Sequence, residues 1–282
     1  MAHRSLAYWL VVVALLFAAG PSNADTLKRI QETGVIRIGY RADAVPHSYA
    51  DTSGRPAGYV VDLCREITRA IQDRLKPATV RVEFVQVTAQ DRFDAVRNNA
   101  IDLLCEATSI TLSRRELVDF SIPTFVDGAG VAFRGKEVTR FEDFAGRKVG
   151  VLNGTTTYEV LRSSLSQIGI KTEIVVASDH RSGLGLLIDG KIDAYFADRA
   201  ILAYLQGRFE SGRSFNVGKQ YFSYETYGLA MQRGDTEFRL LVDRTLARLA
   251  RDGRAAAIAS KNLGSANDEM LRALISINSL PD

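Results

Sequence analysis

Apolar side chains recur along the chain with two spacings that alternate. Residues 35–39 form a short apolar run and residues 80–87 alternate apolar with charged positions, so both segments predict β-strands. Between them, apolar residues three and four positions apart predict one face of a helix, which Pro77 ends. A short helix over 90–99 and a strand over 101–105 follow. The order predicted for this part is β-α-β-α-β.

The same order is predicted a second time further along the chain. The strands of the second set cover 148–152, 173–176 and 192–196, with apolar helical faces between them. The last strand of each set opens on the same pair of residues, Ile101-Asp102 in the first and Ile192-Asp193 in the second. The matched order and the shared pair favour an internal duplication over coincidence.

The remaining segments suggest how the two sets are joined. Residues 222–231 read as one more extended segment, and three helices are predicted over 237–251, 254–261 and 268–277. Strands that alternate with helices imply parallel sheets with helices on both faces, an α/β fold. In such open sheets, ligands bind beyond the carboxyl ends of the strands.

We expect two lobes with a cleft between them. The first lobe is assigned residues 25–130 together with 230–282, and the second residues 131–229. The chain then crosses between the lobes twice, which is the arrangement of a hinge.

The N-terminus predicts export. His3 and Arg4 precede an apolar run over 6–19, and small residues follow it at 22–24, as in a secretory signal peptide. The run is shorter than the ~20 residues that a membrane-spanning helix needs, which makes an uncleaved anchor the weaker alternative. We therefore assign residues 1–24 to a cleaved signal peptide and expect the mature protein in the periplasm.

The net charge and the numbers of cysteine and histidine residues limit which partners and sites we expect. The formal net charge is +3, with acidic and basic residues interspersed, so we expect neither a nucleic-acid partner nor attachment to a membrane surface. Cys64 and Cys105 leave two alternatives open, a disulfide or two buried free thiols. With three histidines in all, one of them in the signal peptide, we expect no metal site, and nothing indicates a cofactor.

Hydroxyl side chains and one arginine follow the strand that ends at Cys105. Ser109 and Thr111 lie close to Arg114, a combination that suits a carboxylate ligand. The guanidinium can donate two parallel charge-assisted hydrogen bonds, and hydroxyls and backbone amides can take the remaining lone pairs. The alternative is an ordinary Ser/Thr-rich turn with a solvated arginine.

These residues carry a resemblance to a known family. Ser109-Ile110-Thr111-x-x-Arg114, followed by Asp119-Phe120-Ser121, resembles the signature of the periplasmic polar amino-acid-binding proteins of ABC importers. The resemblance runs over essentially the whole mature chain and is strongest to the glutamate/aspartate-binding branch. It implies a type II periplasmic-binding-protein fold, each lobe a mainly parallel sheet, that captures an amino acid by cleft closure. It also implies a monomer whose partner is an ABC permease in the inner membrane.

The resemblance assigns the backbone groups of an amino-acid ligand to four positions. Arg114 would bind the α-carboxylate with help from Ser109, and the helix start at Thr155 and Thr156 would bind it from the other lobe. Asp198 would pair with the α-ammonium. Its alternative role is a helix N-cap.

The resemblance implies that Arg41, Arg92 and His180 would contact the ligand side chain. They match the positions at which acidic amino-acid binders hold the distal carboxylate. Taken singly, each of these would more often be a solvated surface residue. The chain departs from the branch at Glu106-Ala107, where Gly-Ser is expected, and at Ala89, where Ser is expected. These departures leave a neutral, amide-bearing or zwitterionic ligand open beside an acidic one.

Two other functions fit the same scaffold. One is a periplasmic enzyme resembling cyclohexadienyl dehydratase, for which Glu106 is the one candidate acid. An ammonium-binding Asp198 is unnecessary for such keto-acid chemistry, so we expect no enzyme activity. The other is a receptor that presents its ligand to a membrane partner other than a permease.

Overall fold

The computed structural model describes residues 25–208, 215–264 and 269–281. The signal peptide predicted over 1–24 lies outside these ranges, as does residue 268, the first residue of the last predicted helix. None of the helices in the described ranges is long and apolar enough to cross a membrane.

Helices occur at each place where the periodicity predicts one. Those of the described residues are α1 (Thr26–Thr33), α2 (Tyr59–Arg74), α3 (Arg92–Arg97), α4 (Leu112–Arg115), α5 (Thr156–Gln167), α6 (His180–Ile188), α7 (Arg199–Gln206), α8 (Thr236–Arg251), α9 (Arg254–Leu263) and α10 (Glu269–Ile277).

Most strands are short, and the longest belong to the two predicted β-α-β-α-β sets. The strands are β1 (Val35–Tyr40), β2 (Asp43–Ala44), β3 (Ser48–Ala50), β4 (Pro56–Ala57), β5 (Arg81–Gln86), β6 (Leu103–Leu104), β7 (Asp119–Phe120), β8 (Phe125–Asp127), β9 (Ala129–Phe133), β10 (Lys148–Leu152), β11 (Glu173–Ala177), β12 (Ala194–Asp198), β13 (Asn216–Val217), β14 (Glu225–Tyr227) and β15 (Ala230–Met231).

The two sets form two five-stranded sheets with matching order. The first sheet runs β5-β1-β6-β15-β7 and the second β11-β10-β12-β9-β13. In each, the first strand of the set pairs in parallel with the other two. In the first sheet β15 pairs antiparallel with both β6 and β7, and in the second β9 pairs antiparallel with both β12 and β13. The two-lobed α/β fold is confirmed, with mixed sheets whose parallel parts are the predicted units.

The repeated Ile-Asp pair has a structural role that is the same in both lobes. Oδ2 of Asp102 accepts the backbone N–H of Arg37 in β1, and Oδ2 of Asp193 accepts that of Lys148 in β10, each at 2.7 Å. The backbone N–H of each aspartate donates in turn to the carbonyl of the same residue, Arg37 or Lys148, at 2.8 Å, so the aspartate pairs with the first strand through both its side chain and its backbone. β6 and β12 themselves begin later than predicted, at Leu103 and Ala194.

The isoleucine of each pair packs over a glycine in the neighbouring strand. A Cβ on Gly39 would come within 2.3 Å of Cδ1 of Ile101, and one on Gly150 within 2.5 Å of Cδ1 of Ile192. Only a residue without a side chain leaves room for this contact. The symmetry of both contacts strengthens the case for duplication.

Helices α2, α8 and α9 pack together over the core of the first lobe, and α5, α6 and α7 over the second sheet. A disulfide joins Cys64 in α2 to Cys105 at the end of β6, with the Cα atoms 6.4 Å apart. The alternative of two free thiols is therefore not what the structure shows. The bond fixes the end of β6 immediately before Glu106.

Two antiparallel strands run side by side between the sheets. β8 pairs with β14 so that Asp127 lies opposite Glu225. The second sheet begins at Ala129, close to the predicted limit at residue 130. The division into 25–130 with 230–282 and 131–229 stays a prediction.

Candidate functional site

The carboxyl ends of the parallel strands of both sheets converge on one buried region. From the first lobe come Arg41 after β1, Arg92 at the start of α3, and Glu106 after β6. From the second come the start of α5 after β10 and Asp198 at the end of β12. Sequence reasoning placed candidate residues at these ends, and nine of the ten have side chains here.

Ala107 is the exception. Its side chain belongs to the apolar cluster of the first lobe, with Leu103 and Phe125 among the members, and is 8% exposed. The Ser-to-Ala departure therefore removes no hydroxyl from the site. Any role of Ala107 through its backbone stays a prediction.

Arg114 is half-buried and holds a cationic group without a counter-ion. Nη1 donates to the carbonyl of Ser109 at 2.8 Å, and the guanidinium lies over the ring of Phe93 at 5.1 Å from the centroid. No carboxylate of the described residues lies within salt-bridge distance of it. Burial lowers the pKa of Arg114, while Glu106 and Glu225 oppose that effect. An anion placed beside this guanidinium would supply the missing partner.

The N-terminus of α5 faces Arg114 from the other lobe. Thr155 caps the helix by accepting the N–H of Tyr158 at 3.2 Å, so its hydroxyl is engaged. The hydroxyl of Thr156 lies 3.1 Å from that of Ser109 and donates to Oε2 of Glu225 at 2.5 Å. The first N–H groups of a helix have no acceptor within it, and they favour an anion.

Asp198 occupies the N-cap position of α7 but does not cap the helix with its side chain. Asp127, from β8, does so instead, accepting the N–H of Ala200 at 3.1 Å and the hydroxyl of Tyr227 at 3.2 Å. Oδ1 of Asp198 is enclosed and has no hydrogen-bond partner among the described residues. The alternative reading of Asp198 as a side-chain N-cap is therefore not supported, and its Oδ1 is available to a ligand.

The carboxyl groups of Asp127, Asp198 and Glu225 lie close together near the start of α7. Burial raises the pKa of Asp198 well above its usual value, and Asp127 and Glu225 add repulsion. Burial also raises the pKa of Asp127 to about 7. A cation at this point would relieve the repulsion and restore a lower pKa. The part of the site that holds these unpaired charges is called the clamp end, and it consists of Ser109, Arg114, Asp127, Thr155, Thr156, Asp198 and Glu225.

The remaining charged residues lie at the other end of the cleft and pair with one another. Arg41 is 3% exposed and makes two hydrogen bonds to Asp43, at 2.9 and 2.8 Å. Nε of Arg92 lies 3.1 Å from Oε1 of Glu106, and Nη1 of Arg41 lies 3.8 Å from Oε2. Thr108 donates to Oε1 of Glu106. This distal end consists of Arg41, Asp43, Arg92, Glu106 and His180.

His180 opens α6 and is 2% exposed. Burial and the nearby Arg41 lower its pKa to about 4, so the ring is neutral at pH 7. Nδ1 lies 3.1 Å from the hydroxyl of Tyr195. Nε2 is buried without a hydrogen-bond partner among the described residues.

The two lobes touch directly around the site. Nη2 of Arg92 donates to the carbonyl of Gly154 at 3.0 Å, and the amide of Gln90 donates to that of Asn153 at 3.2 Å. Gly154 has φ +75°, and a Cβ there would lie 2.7 Å from the carbonyl oxygen of Ala89. The cleft is therefore closed, and a glycine permits the close approach.

Cavities flank the closed cluster on both sides. One of about 610 Å³ is lined by Arg114, Thr156 and Glu225, and one of about 310 Å³ by Arg41, Asp43 and Ala89, among others.

The comparison with protein families decides the identity of this fold and site. The sequence profile of the bacterial extracellular solute-binding proteins, family 3, matches residues 36–265. The chain belongs to that family. The predicted relationship to amino-acid-binding proteins is thereby confirmed.

Individual relatives of this solute-binding protein cover most of its length. The L-glutamate/L-aspartate-binding protein of Pseudomonas aeruginosa is 32% identical over 248 residues, which are 86% of this chain and 82% of the relative. A mutant of ArgBP from T. maritima has a TM-score of 0.75 at 24% identity, covering 85% of this chain and 99% of that one. An ancestral amino acid-binding protein, described as a precursor of cyclohexadienyl dehydratase, has a TM-score of 0.74 at 26% identity, covering 84% and 99%.

Sequence reasoning missed five residues of this solute-binding protein's site. They are Asp43, Thr108, Asp127, Glu225 and Tyr227. Asp43 lies two positions after Arg41, and Thr108 two after Glu106, so closeness to a candidate was an available signal. Asp127 and Glu225 lie on the two segments that connect the lobes. There, the alternation of apolar and polar residues gives no information about which side chains contact a ligand. Within the described ranges, no group of His, Cys, Asp and Glu side chains is arranged to hold a metal ion.

Proposed function

We propose that this protein is the periplasmic solute-binding subunit of an ABC importer and binds a polar amino acid by closure of the cleft. One observation carries the proposal: the guanidinium of Arg114 and the carboxyl group of Asp198 lie in the same cleft, on different lobes, and neither has a salt-bridge partner among the described residues. An α-amino acid carries both missing charges on one carbon atom.

The clamp end has a partner for each backbone group of such a ligand. The α-carboxylate would lie between the Arg114 guanidinium and the N-terminus of α5, where Thr156 and Ser109 meet. The α-ammonium would lie against Asp198, where Asp127 and Glu225 add negative charge. Because these groups come from both lobes, ligand contacts would be complete only in the closed state, which is how binding favours closure.

The side chain of the ligand would extend to Arg41, Arg92 and His180. These residues are charged or polar and nearly fully buried, so a polar side chain fits and an aliphatic one does not. The named ligands of the Pseudomonas aeruginosa relative make glutamate and aspartate candidates.

Enzyme activity finds less support than binding. The ancestral relative is itself described as an amino acid-binding protein. Glu106, the candidate acid, lies within salt-bridge distance of Arg92 and Arg41, so its carboxyl group is engaged within the chain. Burial raises the pKa of Glu106, and the two arginines oppose that rise.

Location and partner follow from the same proposal. A signal peptide over 1–24 would deliver the mature chain to the periplasm, where it would act as a monomer and dock on an inner-membrane permease. A receptor role would use the same site with a different membrane partner.

A thermal-shift panel of the common amino acids on the protein purified from the periplasm tests the proposal. At about 100 times the dissociation constant, a ligand stabilises the folded state by ~2.7 kcal/mol, which gives a clear rise in Tm. We expect at least one polar amino acid to do this and glycerol or acetate not to. A panel in which no amino acid raises Tm would contradict the proposal.

A further inference from the structure

The guanidinium groups of the distal end have little capacity left for a ligand carboxylate. Arg41 presents two of its nitrogens to Asp43 in a bidentate pair. Arg92 faces Glu106 with Nε, donates to the Ala89 carbonyl with Nη1 and to Gly154 with Nη2. Nη1 and Nη2 of Arg92 therefore each have an acceptor in the chain, while Nε lies close to Oε1 of Glu106 without a hydrogen-bond partner among the described residues.

Glu106 lies where a ligand carboxylate would have to lie to bridge both arginines. One of its oxygens is 3.1 Å from Arg92 and the other 3.8 Å from Arg41, and the side chain is fully enclosed. The disulfide at Cys105 fixes the backbone immediately before it. The carboxylate is therefore a fixed part of the site.

The charges of the distal end add up to neutrality. With both carboxyl groups ionised, Asp43 and Glu106 balance the two arginines with which they pair, and His180 is neutral at pH 7. Burial raises the pKa of Glu106, and Arg92 and Arg41 oppose that rise. A ligand with a carboxylate at its tip would bring an uncompensated negative charge into a buried region that already holds its anions. Burial of an unpaired charge is strongly unfavourable, and it is a common means of rejecting a competing ligand.

The polar atoms left over at the distal end suit an uncharged group that both donates and accepts. Oε2 of Glu106 is a buried acceptor without a hydrogen-bond donor among the described residues. Nε2 of His180 is likewise unpaired, and it carries the ring hydrogen when the Tyr195 hydroxyl donates to Nδ1. A carboxamide offers an NH₂ donor to the first atom and a carbonyl acceptor to the second.

We infer that Glu106 supplies from within the chain the negative charge that Arg41 and Arg92 would otherwise take from the ligand, so that the site selects an amino acid with a carboxamide side chain over its acidic counterpart. The inference rests on the proposed function. Glu106 is then the residue that determines specificity in this chain.

Two isosteric ligand pairs test the inference on the unmodified protein. Calorimetric titration at neutral pH compares L-glutamine with L-glutamate and L-asparagine with L-aspartate, which differ in the charge of the tip at nearly constant shape. We expect the amide of the better pair to bind about tenfold or more tightly than the acid. Tighter binding of glutamate or aspartate would overturn the inference and leave the proposed function intact.

The variant Glu106→Gln then tests the assigned cause. It keeps the shape and an acceptor for Arg92 but removes the charge, so the ratio of amide to acid affinity should fall by about tenfold or more. Glu159→Gln, the same substitution at an exposed position of α5, should leave the ratio unchanged. An unchanged ratio in Glu106→Gln would overturn the assignment to Glu106.

Failure of the inference and failure of the proposed function give different results. If none of the four ligands binds but another amino acid does, the carboxamide inference is overturned and the binding function stands. If no amino acid binds the unmodified protein in either calorimetry or the thermal-shift panel, both are overturned. The ligand comparison on the unmodified protein decides the inference even where Glu106→Gln does not fold.

Discussion

Arg114 and Asp198 at the clamp end have no ionic partner among the described residues, whereas Arg41, Arg92 and Glu106 at the distal end pair with one another. Both ends are buried by the same closure of the same two lobes. Removal of charged groups from water costs free energy at both, but only the distal end recovers it within the chain.

Because of this difference, the two ends contribute differently to recognition of the ligand. A clamp end with unpaired charges depends on a ligand for its stability in the closed state, and any α-amino acid carries the required groups. The distal end is already neutral, so it contributes mainly by rejecting ligands with a carboxylate at the tip of the side chain. Affinity for amino acids in general and discrimination among them therefore belong to separate groups of residues.

Arg114→Ala should have the largest effect on binding, since it removes the one cation of the clamp end. We expect the loss of ~2–5 kcal/mol that follows when one partner of a buried charge pair is removed. Calorimetry with the best ligand of the panel measures it. Arg115→Ala, at an exposed neighbour in α4, is the control and should bind normally. A loss below about tenfold in Arg114→Ala would mean that the α-carboxylate is held elsewhere.

Asp198→Asn and Asp43→Asn should change the stability of the ligand-free protein in opposite directions. The folded-state pKa of Asp198 is raised, so its carboxyl group lowers stability as pH rises above the ordinary value of 3.8. Asp198→Asn removes this penalty, and we expect a gain in stability at pH 8 that disappears near pH 4. The pKa of Asp43 is lowered, with Arg41 as its partner, so Asp43→Asn should instead destabilise above pH 4.

Urea denaturation of both variants and of the unmodified protein, at several pH values between about 4 and 8, measures these differences. Asp198→Asn should at the same time bind ligand much more weakly, because the ammonium loses its carboxylate. A destabilised Asp198→Asn would show that this carboxylate is already paired in the folded protein, which would remove the contrast between the two ends.

The sequence predicts the framework of both ends well. The two β-α-β-α-β sets place Arg41, Glu106 and Asp198 at strand ends, and the parallel pairing of the strands brings those ends together. The spacing of apolar residues and the shared Ile-Asp pair are the sequence features from which these strand ends are predicted. The expectation that Arg114 and Thr156 face each other rests on the family resemblance, and the strand and helix order alone does not predict it.

Which charge pairs with which could not be predicted, because pairing depends on contacts between distant segments. Asp127 caps α7 only because β8 runs beside β14 and reaches the start of that helix, and this contact frees Asp198. Ala107 has its side chain in the core because of the direction the chain takes after β6. The sequence around Asp198 does not reveal that Asp127 caps α7, and the sequence around Ala107 does not reveal that its side chain lies in the core.

Gln90→Ala should have the smallest effect, and it separates closure from selection at the distal end. The Gln90 amide donates to the carbonyl of Asn153 across the cleft at 3.2 Å and is exposed, so its loss should weaken the closed state by ~0.5–1 kcal/mol. Affinity for every ligand should then fall by the same factor of about two to five, with the ratio of amide to acid unchanged. Calorimetry with the glutamine and glutamate pair measures both quantities. A changed ratio in Gln90→Ala would show that discrimination depends on how tightly the lobes close, and not on the charge of Glu106 alone.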